Sequence, residues 1–134
     1  MHLFFVLGIA CAACNQPNSI APDTLTGKWI EKSAWQDTLI FNLSLQGQSL
    51  PNMLTVNRGK ELNAGGFLIP KIGSGLYKYE IERNRISVIN MHSSSSKRSD
   101  YAIERNGQEL HIENFFELGF NQPATAIRTL VRLK

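Results

Sequence analysis

Leu25-Thr26-Gly27-Lys28-Trp29 is the stretch on which the fold of this chain turns. A glycine two residues ahead of a tryptophan lets the backbone turn tightly before a large ring enters a core. Upstream the chain is first apolar, then small and polar. Downstream it alternates strand-like runs and turns as far as Lys134. The pentapeptide therefore marks the entrance to a folded domain, and Trp29 is its first core residue.

Past Trp29 the hydrophobic pattern has period two. In residues 37–45, Leu39, Phe41, Leu43 and Leu45 share one face, opposite Thr38, Ile40, Asn42 and Ser44, which is the pattern of a half-buried strand. In residues 76–82, Tyr77, Tyr79 and Ile81 oppose Lys78, Glu80 and Glu82. Further strands are expected over residues 27–33, 53–57, 86–91, 101–105, 110–116 and 126–133. Gly47, Pro51 and Arg83-Asn84 punctuate the runs. Asn106-Gly107 is a two-residue hairpin signal, since both residues tolerate positive φ. Residues 58–75 are the least regular, with five glycines and Pro70; a lid or a loop with one short strand at 66–69 is expected there. About eight short strands with hardly any helical periodicity predict an all-β fold, a small antiparallel up-and-down β-barrel.

The ends and the charge set the context. Twelve of the first fourteen residues are apolar, and no Lys, Arg, Asp or Glu precedes Asp23. The run is too short to span a bilayer as a helix and suits the apolar region of a secretory signal, although a basic start is missing. Both cysteines lie in it, each after a small residue, which resembles a bacterial lipobox. The apolar run stops at Cys14, so Cys14 is the expected lipid attachment, with Cys11 the alternative. Residues 1–14 are then a lipoprotein signal peptide, 15–24 a polar tether and 25–134 the domain. The mature domain has no thiol, which excludes disulfides and cysteine catalysis. A net charge of +3 with interleaved signs argues against a nucleic-acid partner.

The Leu-x-Gly-x-Trp opening, Tyr77-Lys78-Tyr79-Glu80-Ile81 followed by Asn84 and Ile86, and the closing Arg128-Thr129-Leu130-Val131-Arg132 together resemble the lipocalin-like domains of secreted bacterial lipoproteins, calycin-type β-barrels, over residues 25–134. The resemblance implies that Gly27 and Trp29 open the first strand and that an arginine of the last strand packs across the Trp29 ring to close the barrel floor. That arginine is Arg132, with Arg128 on the same face as the alternative. It further implies a membrane-anchored protein of the bacterial cell envelope, periplasmic or surface-facing, that binds a small hydrophobic molecule without a cofactor.

Phe41, Tyr77, Tyr79, Tyr101 and Phe116 are the candidate ligand-binding residues, apolar rings with a few phenols to set orientation. The competing expectation is a filled barrel, a non-catalytic structural or interaction module that docks a second envelope protein. Trp29 is read as core, and Trp35 as a turn residue that lines the barrel mouth or caps a barrel end. His92 and His111 have no cysteine and no paired spacing for zinc, so no metal is expected. Serines 93–96 with His92 and Asp100 lack the strand-turn-helix elbow of a nucleophile, and no carboxylate pair stands out for acid–base work. An enzyme is therefore not expected.

Overall fold

The structure, a computed structural model, describes residues 20–94, 97–115 and 126–134. In chain order the strands are β1 Gly27–Glu31, β2 Thr38–Phe41, β3 Ser44–Leu45, β4 Gln48–Ser49, β5 Met53–Asn57, β6 Lys60–Leu62, β7 Leu68–Pro70, β8 Gly75–Glu82, β9 Arg85–Asn90, β10 Ser99–Asn106, β11 Glu109–Glu113 and β12 Ile127–Arg132. Eight of them, β1, β2, β5 and β8 to β12, close an antiparallel barrel in which each strand pairs with the next and β12 returns to β1. The up-and-down barrel expected from the alternation is the observed fold. The other four strands form two small hairpins, β3–β4 and β6–β7, that interrupt the meander without joining it.

The register gives the barrel two unlike ends. The start of β1, the ends of β2 and β12, and the turns β8–β9 and β10–β11 meet at one end, the floor. The ends of β1, β5, β9 and β11 lie at the other, the mouth. Inward side chains alternate along each strand, as the pleat requires. Trp29, Leu39, Phe41, Leu54, Tyr77 and Tyr79 are all fully buried.

The floor is closed by a single 3₁₀ turn, Pro22–Leu25, whose Leu25 is fully buried. The Trp29 indole N–H donates to the Leu25 carbonyl at 2.9 Å. Gly27 makes the bend between turn and strand at φ +127°, a conformation that side chains rarely adopt. β1 closes on β12 with Trp29 directly opposite Arg132. The Arg132 guanidinium lies 4.6 Å from the Trp29 ring centroid, and Arg105 stands over the same ring at 5.8 Å. Both arginines also donate to the Thr24 carbonyl. Arg132 thus has the position expected of it; Arg105, in β10, was not anticipated.

Four details depart from the sequence expectations. The run 37–45 is not one strand, because β2 ends at Phe41 and Asn42 takes φ +55°. Leu43 is then only half-buried and Leu45 is exposed, as part of the β3–β4 hairpin. The β10–β11 turn is centred on Gly107-Gln108, since Asn106 still pairs with Glu109 and Gly107 supplies the positive φ at the first turn position. Residues 58–75 hold a hairpin, not a lone strand. The expected tether, 15–24, packs on the domain in its last part: Ile20 is buried with the core, and the Pro22–Leu25 turn covers the floor. Pro22 opens that turn, and its buried Leu25 holds it to the floor.

A stacked guanidinium with a charge-assisted hydrogen bond is replaced poorly by other side chains. Arg132→Ala is expected to lower unfolding free energy by about 2–4 kcal/mol in urea denaturation. Arg132→Lys, which keeps the charge but loses the planar fork, should recover less than half of that.

Candidate functional site

The five residues expected to line a ligand cavity sort into four inside the barrel and one that lies outside the described residues. Phe41, Tyr77, Tyr79 and Tyr101 project inward and are buried. Phe116 falls outside the described residues. Its neighbour Phe115 is 1% exposed and sits between Tyr77, edge-on at 5.5 Å, and Tyr101, stacked at 5.0 Å. The alternation of residues 110–116 placed Phe116 inward with Leu110 and Ile112. β11 stops at Glu113, the period breaks, and Phe115 turns in.

These rings leave no space between them. A void able to hold even one water would leave its lining accessible to a water-sized sphere. Phe41, Tyr77 and Tyr79 are 0% exposed. The phenols are satisfied by the protein: the Tyr77 hydroxyl donates to the Gly73 carbonyl at 2.8 Å, and that of Tyr79 to Asn42 Oδ1 at 2.7 Å. Phe41 meets Tyr79 edge-on at 5.4 Å. Among the described residues the interior is a packed core.

Asn42 is the polar centre of this core. Its side-chain amide donates to the Pro22 carbonyl and to Thr26 Oγ1, each at 2.9 Å. Its Oδ1 accepts from the Tyr79 hydroxyl and from the Asn52 backbone N–H. One side chain thereby ties the floor turn, the β2–β5 connection and β8 together. The sequence signal was faint: an asparagine inside an apolar run, a residue type that accepts the left-handed conformation.

The mouth and the outer wall carry the ionisable groups. Glu31 faces inward at the mouth and is buried. Burial alone would raise its pKa, but hydrogen bonds from the Ser33 hydroxyl and the Ala34 and Ser33 backbone N–H groups, with Arg128 nearby, hold it below its ordinary value. A groove of about 470 Å³ runs beside it, between Lys32 and Thr129. A larger groove of about 810 Å³ lies on the outer wall along β10 and β11, lined by Ile20, Ala102, Glu104, His111, Glu113 and Ile127. His111 points outward there, 3.4 Å from Glu109, whose carboxyl is held low by hydrogen bonds from Lys32 and His111. Neither groove opens into the barrel through Phe41, Tyr77 or Tyr79.

The chain's three tyrosines give this packing a pH signature. Burial pushes Tyr77 up to about 12, with a smaller push from Tyr101 and a small opposing pull from Arg58. Burial also pushes Tyr79 up to about 12, against the Asn42 hydrogen bond and with some help from Asp23. Tyr101 is raised chiefly by burial as well. The folded chain therefore holds phenolic protons that the unfolded chain loses near pH 10, so stability is intact below that pH and falls as pH rises toward 12. Tyrosinate absorbance should stay flat through pH 10 and appear together with loss of near-ultraviolet circular dichroism. For the polar centre, Asn42→Ala should cost about 2–4 kcal/mol and Tyr79→Phe about 1 kcal/mol, with a non-additive double mutant in denaturant titrations.

In comparisons with known proteins, no family profile, no curated protein and no solved structure matched this chain.

Proposed function

We propose that the chain is a non-catalytic module of the bacterial cell envelope that works through its outer surface, not through a barrel cavity. The observation that carries this reading is the filled interior: Phe41, Tyr77 and Tyr79 have no accessible surface, and the two tyrosine hydroxyls bond to the protein. A small hydrophobic ligand in the barrel would have to displace Phe115 from between Tyr77 and Tyr101. A scaffold of this kind keeps its loops in fixed relation and needs no bound molecule to be stable. The lipobox-like segment supports attachment to a membrane through lipid on Cys14, with Cys11 the alternative.

Native mass spectrometry of protein purified from its source, with lipid extraction, tests both parts. The expected mass is the lipid-modified chain with no stoichiometric small molecule. A molecule that co-purifies across preparations and survives washing overturns the filled-scaffold reading. Cys14→Ser is expected to abolish fatty-acid labelling; labelling that persists there and vanishes in Cys11→Ser assigns the lipid to Cys11.

A further inference from the structure

The β6–β7 hairpin has an unusual surface. From Leu62 to Pro70 it carries no charged residue: Leu-Asn-Ala-Gly-Gly-Phe-Leu-Ile-Pro. Leu62 and Leu68 oppose each other on one face, while Phe67 and Ile69 follow the alternation onto the other. Leu62, Phe67 and Leu68 are each more than 60% exposed. The tip is nonetheless built. Asn63 Oδ1 accepts from the Gly65 and Phe67 N–H groups, and the Asn63 N–H donates to the Phe67 carbonyl. At the base, Arg58 bonds to the Ile72 carbonyl and lies 3.4 Å from Asp37. The finger is therefore held in place with its apolar side chains in solvent.

The rest of the mouth end shares this character. Among the described residues, nine large apolar side chains are exposed, and all except Leu45 sit at the mouth. Trp35, Ile72, Met91 and Ile127 join the finger in this. The three connections after β1, β5 and β9 contain six Lys or Arg against two acids, Asp37 and Glu61. Lys60 and Lys71 stand at the base of the hairpin, with Glu61 between Lys60 and the uncharged run.

We propose that the mouth end docks on an anionic lipid bilayer, with the β6–β7 tip entering the interface and Trp35 beside it. Apolarity on both faces favours a lipid surface, since lipid surrounds a narrow hairpin whereas a protein surface covers one side of it. Basic residues at the base suit the headgroup layer, and aromatic side chains suit the boundary. This assignment rests on the reading that the barrel acts through its surface, and it names the surface. The floor, where the chain enters the barrel, is at the other end, so contact made by the tip is separate from any N-terminal anchor.

The test reads Trp35 in the full chain, because vesicle pelleting alone would also report an anchor. Trp29 is fully buried, and Trp35→Phe identifies which ring produces a signal. Mixed phosphatidylglycerol and phosphatidylcholine vesicles should shift Trp35 emission to the blue, and brominated lipid should quench it. Phosphatidylcholine vesicles or high salt should weaken the effect. Phe67→Asp with Leu68→Asp, at sites exposed enough to leave the barrel intact, should abolish the shift while the thermal transition stays in place. Lys60→Gln with Lys71→Gln should lower the affinity for anionic vesicles roughly tenfold. Unchanged Trp35 emission at saturating anionic vesicles overturns the proposal. So does an equal shift in the Phe67/Leu68 variant, or a shift that depends on protein concentration without lipid, which would mark a second copy as the occupant. None of these outcomes depends on whether a small molecule co-purifies, so the two proposals fail separately.

Discussion

An eight-stranded sheet becomes a barrel only when its first and last strands meet, and here that meeting is made around the Trp29 ring. Trp29 and Arg132 are register partners across the closing pair of strands, and the guanidinium covers the indole from 4.6 Å. Arg105 approaches the same ring from β10. The 3₁₀ turn then covers what remains, with Leu25 buried beneath it and its carbonyls taken up by the indole, both arginines and Asn42. A short turn at a barrel end leaves backbone carbonyls that must find donors. Two guanidinium groups, an indole and an amide supply them. Closure, plug and core are one arrangement.

From that arrangement the division of labour follows. The floor and interior are committed to stability, with aromatic rings packed edge to face and phenols bonded to the protein. Eight-stranded barrels lie near the size at which side chains fill the interior, and the large rings contributed by Phe41, Tyr77, Tyr79, Tyr101 and Phe115 fill this one. On the reading proposed above, function falls to the surface. There the mouth differs from the floor, because among the described residues it holds nearly all the exposed large apolar side chains, and its connections carry an excess of basic ones. A monomeric barrel in water gains nothing by holding Phe67 at the tip of an ordered hairpin. A lipid boundary gives that side chain an environment.

Much of the fold was legible because its signal is local. The alternation of Tyr77, Tyr79 and Ile81 against Lys78, Glu80 and Glu82 appears in β8 unchanged, and β5, β9, β10 and β11 keep the same period; β12 does not, since its buried Leu130 lies between Arg128 and Arg132 while Ile127 is exposed. The failures were also local in origin. Asn42 looked like one more polar residue on an outward face, yet its left-handed conformation ends β2 and sends its side chain inward to four partners. Phe115 enters the barrel because β11 ends at Glu113, an end that the alternation of residues 110–116 did not reveal. The ligand site expected from aromatic composition did not distinguish a lined cavity from a filled one, since both need the same residue types.

By itself the sequence determined the strand class, the succession of short antiparallel strands and the glycine-tryptophan entrance, because period two and a few turn residues act over neighbouring positions; the arginine that faces Trp29 was implied only by the resemblance to lipocalin-like domains. Tertiary structure alone decided that the interior is full, since volume is summed over side chains from every strand. It decided that Ile20 joins the core and that the following turn covers the floor, because the turn's partners lie far along the chain at Asn42, Arg105 and Arg132. It also decided that Trp35, Phe67 and Met91 share one end of the molecule, because the register of a closed sheet brings separate loops together at a single rim.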